Sequence, residues 1–75
     1  MTPKKRTRLR AIREQLEWSR AKYSRKAELA PSTYGLVEDG LLVPYDVQLA
    51  RIAAVARREA GWTGQDCELL EPDHA

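Results

Sequence analysis

Ten lysines and arginines crowd the first 26 residues against only Glu14 and Glu17, a local balance of +8. Residues 27–75 hold Arg51, Arg57 and Arg58 against nine acids, a balance of −6, so the net charge of +2 conceals a strongly polar distribution. Cations at that density neutralise phosphates and release their counterions, which is the chemistry of binding a polyanion. The bland alternative is a solvated arm that keeps the chain in solution. The concentration of Lys4, Lys5, Arg6, Arg8, Arg10 and Arg13 favours nucleic acid.

Other chemistries find no residues to carry them. Cys67 is the single cysteine, so no intramolecular disulfide and no zinc cluster can form. It reads as a small residue near a helical face rather than a redox group. His74 is likewise alone in a polar tail. No metal site, no Gly-rich phosphate loop and no nucleophile with a recognisable base is found, so neither an enzyme nor a cofactor is expected. No apolar run approaches the ~20 residues of a membrane span and no signal-peptide core follows the basic start. A soluble cytoplasmic protein is expected, with no membrane partner.

The elements that must position these cations come next. Seventy-five residues make one domain, which buries roughly 60% of its unfolded surface. Residues 1–6 read as a flexible basic arm, since Pro3 discourages early helix. Thr7 can cap a first helix in which Leu9, Ile12 and Leu16 follow helical spacing, with Arg6, Arg10 and Arg13 on the opposite, solvated stripe. Ser19 can cap a second helix over 20–27, and Trp18 and Tyr23 stand at the positions of a hydrophobic staple. Glu28, Leu29 and Ala30 form a turn. Pro31 suits the first position of a third helix over 31–38, with Tyr34 and Val37 facing inward and Gly40 as its stop.

Leu49, Ile52, Ala53 and Ala56 fit i, i+3, i+4, i+7 on a fourth helix, with Asp46 as its cap or first-turn acid and Gly61 at its end. Thr63 can cap a short fifth helix through Cys67, Leu69 and Leu70, anchored by Trp62. Residues 71–75 should fray. The expectation is an all-α, five-helix domain over 7–70.

The stretch 18–40, WSRAKYSRKAELAPSTYGLVEDG, resembles the helix-turn-helix of the lambda-repressor-like family, Cro/C1 (xenobiotic-response-element) type. The similarity spans residues 8–70. It is carried by Trp18-Ser19-Arg20, by Ser24 and Ala27, by the turn Glu28-Leu29-Ala30, by Val37-Glu38-Asp39-Gly40 and by Pro44, with no insertion or deletion. The resemblance implies a DNA-binding transcriptional regulator, a repressor or activator, acting on double-stranded DNA as a homodimer over two half-sites. It places helix 31–38 in the major groove, with Pro31, Ser32 and Leu36 at base-contacting positions and Thr33 and Gly35 beside them. Phosphate contacts would come from Lys4, Lys5, Arg6, Arg8, Arg20, Lys22, Arg25 and Lys26, and Arg20 would either clamp a phosphate or orient the third helix.

Several residues depart from the family's pattern. Glu28 stands where a turn glycine is usual, so it either adopts a left-handed conformation or changes the turn. The reading face lacks the Arg, Gln and Asn that pair bidentately with G or A, which predicts weak discrimination among sequences. Gly35 in mid-helix costs about 1 kcal/mol relative to Ala and implies a close approach of another group. Glu38 and Asp39 read as fold residues rather than chemistry. The loop after Gly40 is Leu41-Leu42-Val43 rather than basic. Either these side chains fold onto the core beneath the fourth helix, or they form an exposed patch for another protein. In the second case the scaffold would be a protein-interaction module. It would meet RNA polymerase, a sigma factor, a toxin or a second copy of itself through Tyr34, Leu36, Leu41, Leu42 and Val43.

Overall fold

The computed structural model describes residues 7–72. The expected basic arm, with Lys4, Lys5 and Arg6, lies outside the described residues, as do 73–75. The chain is all-α: α1 (Arg8–Gln15), α2 (Arg20–Lys26), α3 (Pro31–Glu38) and α4 (Asp46–Ala60), followed by a short 3-10 helix, Asp66–Leu70. Among the described residues the only β pairing is an isolated antiparallel bridge between Thr7 and Pro72.

Local chemistry starts and stops these helices as the sequence requires. The Thr7 hydroxyl accepts from the Arg10 N–H, and Ser19 Oγ accepts from the Lys22 N–H at 3.1 Å, each satisfying an orphan donor of a first turn. Trp18 and Tyr23 close the staple over α2, edge to face with ring centroids 5.8 Å apart. Asp46 is a first-turn acid, and the N-cap position belongs to Tyr45, whose N–H donates to Gln48 Oε1 at 3.0 Å. Gly61 ends α4 in the left-handed region at φ 71°.

The core joins all the elements. Leu9, Ile12, Tyr23, Ala27, Tyr34, Val37, Ile52, Ala53, Val55, Ala56 and Leu69 are buried, with Leu16, Trp18, Leu29, Trp62 and Leu70 packed around them. Tyr23 and Tyr34 stack with centroids 5.1 Å apart and join α2 to α3. The Tyr23 hydroxyl donates to the Ile52 carbonyl at 2.9 Å, which fixes the pair on α4. An aromatic pair of this kind adds about 0.5–1.5 kcal/mol beyond the area it buries.

Three expectations for the ends and faces of helices are corrected. The fifth element is a 3-10 helix preceded by Gln65, not a helix capped by Thr63; Glu68 Oε1 accepts from the Gln65 N–H at 3.2 Å. Glu71 and Pro72 do not fray: the Glu71 carbonyl accepts from the Arg8 N–H at 3.0 Å, and Pro72 pairs with Thr7. Arg13 does not lie on a solvated stripe but reaches inward to Glu38. It falls four residues after Leu9, within the apolar stripe rather than opposite it.

Candidate nucleic-acid interface

α3 is fixed from behind. Tyr34, Val37 and Glu38 face the interior, while Pro31, Ser32 and Leu36 are exposed and Thr33 and Gly35 half-exposed. The five residues expected at the bases therefore share the outward side of one helix. Tyr34 is fully buried and cannot line a protein interface. Burial, then the neighbouring Glu38 carboxylate, pushes its phenol well above the usual tyrosine range.

The end of α3 is held by a charge network. Arg13 Nε donates to Glu38 Oε2 at 2.7 Å and Arg13 Nη2 to Glu38 Oε1 at 2.9 Å, while Nη1 donates to the Trp18 carbonyl at 2.8 Å. The Glu38 carbonyl accepts from the Thr7 hydroxyl at 2.8 Å. Arg20 Nη2 and Nη1 donate to the two Asp39 carboxylate oxygens at 2.9 and 3.3 Å, and Arg20 Nε lies 3.3 Å from Glu38 Oε1. The hydrogen bonds that Arg13 donates to Glu38 raise its guanidinium above its ordinary value, and those that Arg20 donates to Asp39 do the same for Arg20. Each acid at the end of α3 thus meets a guanidinium. A planar fork suits this bidentate geometry better than an ammonium would.

Gly35 is explained by the same network. A Cβ added there would lie 3.3 Å from Arg20 Nη1, so the guanidinium crosses α3 where a side chain is missing. The close approach expected from the sequence is therefore intramolecular. Glu28 carries the turn between α2 and α3 in the left-handed region, at φ 59°.

The expected phosphate-contacting cations divide into two sets. Arg8 is engaged with Glu68 at 3.2 Å and Glu71 at 3.7 Å, and Arg20 with Asp39. Lys22, Arg25 and Lys26 are exposed on α2. Lys22 Nζ sits 4.9 Å from the centroid of the Trp18 ring, and Arg25 and Lys26 make no ion pair among the described residues. Sequence reasoning missed the part played by Arg13. A cation inside an apolar stripe was the available signal, because it demands a buried carboxylate.

Leu41, Leu42 and Val43 do not fold onto the core, which overturns one of their two readings: they are exposed, as is Leu36. Among the described residues no group of three or more His, Cys, Asp or Glu is placed to hold a metal, and no helix is long and apolar enough to cross a membrane. No protein-family model, no curated protein and no solved structure matches the chain.

Proposed function

We propose that this chain is a DNA-binding regulator of the Cro/C1 helix-turn-helix type, with α3 entering the major groove and the basic N-terminal half lying along phosphates. One observation carries it. α3 turns Pro31, Ser32 and Leu36 to solvent while the two acids at its end are taken up by Arg13 and Arg20. Carboxylates beside a groove-binding helix would repel the backbone phosphates; paired ones do so far less. The exposed Lys22, Arg25 and Lys26 of the preceding helix then add attraction.

Ser32 and Thr33 can bond several base edges, and Leu36 can touch a thymine methyl, so binding is broad in sequence and dominated by charge. The deciding experiment is fluorescence anisotropy with duplex DNA over a salt series. With about six cations engaged, affinity falls about a thousandfold between ~50 and ~200 mM salt. An affinity that hardly changes with salt, or no binding at all, overturns the proposal. Selection from a random duplex pool then reads the base preference, with an enriched palindrome expected from a dimer.

A further inference from the structure

The outward side of α3 carries no arginine of its own, yet one lies on it. Ser32, Gly35 and Leu36 fall within about one helical turn and face solvent, Gly35 partly. At Gly35 the place of a side chain is taken by the Arg20 guanidinium, whose Nη1 lies 3.3 Å from where a Cβ would stand. The guanidinium is held and still open. Asp39 accepts from Nη2 at 2.9 Å and from Nη1 at 3.3 Å, and Nε faces Glu38, while the Arg20 side chain is 37% exposed. Nε, Nη1 and Nη2 each give one N–H to these contacts, so one N–H on each Nη is left over.

We infer that Arg20, projecting from α2, reads a guanine by donating to its N7 through the gap that Gly35 leaves in α3. This role of Arg20 deepens the DNA proposal and rests on α3 lying in the major groove. Charge and donor pattern select the base over a phosphate. Paired with Asp39 and flanked by Glu38, the guanidinium has little net charge to offer a phosphate, whose attraction is mainly coulombic. What it offers is direction: N–H donors and no acceptor, on a frame fixed by a two-bond fork. In the major groove guanine alone presents two acceptors, N7 and O6, with no donor. Adenine and cytosine each present an amino group there, and thymine one acceptor beside a methyl. Arg20 thus adds one fixed base preference to a helix whose own Ser32, Thr33 and Leu36 discriminate weakly.

Selection from a random duplex pool with the whole chain and with Arg20→Gln tests this, each followed by fluorescence anisotropy on the selected duplex over a salt series. The parent enriches a guanine at one position of each bound site. Arg20→Gln loses that guanine, while its slope of log affinity against log salt stays that of the parent. With the parent chain, 7-deazaguanine at that position, which lacks N7, weakens binding about tenfold, and hypoxanthine, which keeps N7 and O6, does not. The base-analogue measurement needs no variant, so it decides even if Arg20→Gln folds poorly. Three results overturn the role of Arg20 and leave the DNA proposal standing. They are a pool with no enriched guanine, equal binding to the 7-deazaguanine duplex, and a variant that keeps the guanine but lowers the slope by about 1, as loss of a phosphate contact would. Failure of the parent to bind any duplex overturns both.

Discussion

Arg13 and Glu38 form a two-bond fork, Nε to Oε2 at 2.7 Å and Nη2 to Oε1 at 2.9 Å, across 25 residues of sequence. The Glu38 side chain is fully shielded from solvent and that of Arg13 only 13% exposed. The pair joins α1 to the end of α3, and the Arg13 bond to the Trp18 carbonyl adds the link into α2. The helix that turns Pro31, Ser32 and Leu36 outward is therefore set in place by a desolvated charge pair rather than by apolar packing alone.

Removing one member of that pair costs more than removing both. Glu38→Ala leaves a largely buried guanidinium without its carboxylate and is expected to lower stability by about 3–5 kcal/mol. A small domain has only about 5–15 kcal/mol in total, so this variant sits near the edge of folding. Arg13→Met with Glu38→Leu should recover much of the loss. Urea unfolding of the single and double variants measures the coupling; additive losses would show that the fork contributes nothing as a pair.

Gly35→Ala tests the passage of Arg20 across α3. Alanine gains up to about 1 kcal/mol of helix propensity, and the single close neighbour of the new Cβ is the end of a long, partly exposed side chain that can shift by a few tenths of an ångström. The variant should be more stable by less than about 1 kcal/mol. Gly35→Leu should be less stable than the parent, because a branched side chain displaces Arg20 from Asp39. Thermal denaturation of both variants gives the answer, and equal gains would mean that Arg20 is not held there.

Glu28→Gly should relieve the turn. Glu28 sits at φ 59°, where a Cβ crowds the backbone, and the left-handed conformation costs an L residue about 1–2 kcal/mol. Its ion pair with Arg51 is long, 4.0 Å, and exposed, so little is lost with it. A gain of up to about 1 kcal/mol is expected from chemical denaturation, with the rest absorbed by the freer unfolded glycine. A loss of stability would show that the Glu28 side chain supports the turn.

Alkaline pH should unfold the domain through its two buried tyrosines. Burial is the main cause that raises both Tyr23 and Tyr34, and Glu38 adds to it. A tyrosine in the unfolded chain ionises near about pH 10, and the folded state holds its proton to higher pH. The stability from these groups is therefore complete below that value and is lost as pH rises above it. Tyrosinate absorbance from Tyr23 and Tyr34 should appear together with the loss of helical dichroism. Full ionisation with the helices intact would overturn this.

What was legible in the sequence is what is local. Thr7 and Ser19 cap within three residues, Trp18 meets Tyr23 across one helical turn, and Gly61 stops α4 at its own position. The periodicity of Ile52, Ala53 and Ala56 foretold the buried side of α4 for the same reason. The candidate site was legible in its outward residues and not in its support. Arg20 reaches Asp39 across 19 residues, and no spacing rule reports such a contact. Nor could the pattern decide between core and surface for Leu41, Leu42 and Val43. That depended on Pro44 taking the buried place in the loop.

The exposed cations of α2 give the sharpest separation of charge from base reading. Arg25 and Lys26 are exposed and make no ion pair among the described residues, so alanine at either removes charge without breaking the fold. If they lie on phosphates, each substitution should weaken binding by a similar factor on every duplex tested and lower the slope of log affinity against log salt by about 1. Ser32→Ala should do the opposite, leaving the salt slope alone while changing the ranking of sequences selected from a random pool. Arg20→Ala should weaken binding at every salt concentration and also lower the melting temperature, since Asp39 loses its bonds from the Arg20 guanidinium and α3 loses that brace. If Arg25→Ala and Lys26→Ala left the salt slope unchanged, these side chains would not face the phosphates. The path of the nucleic acid would then have to follow the N-terminal arm instead.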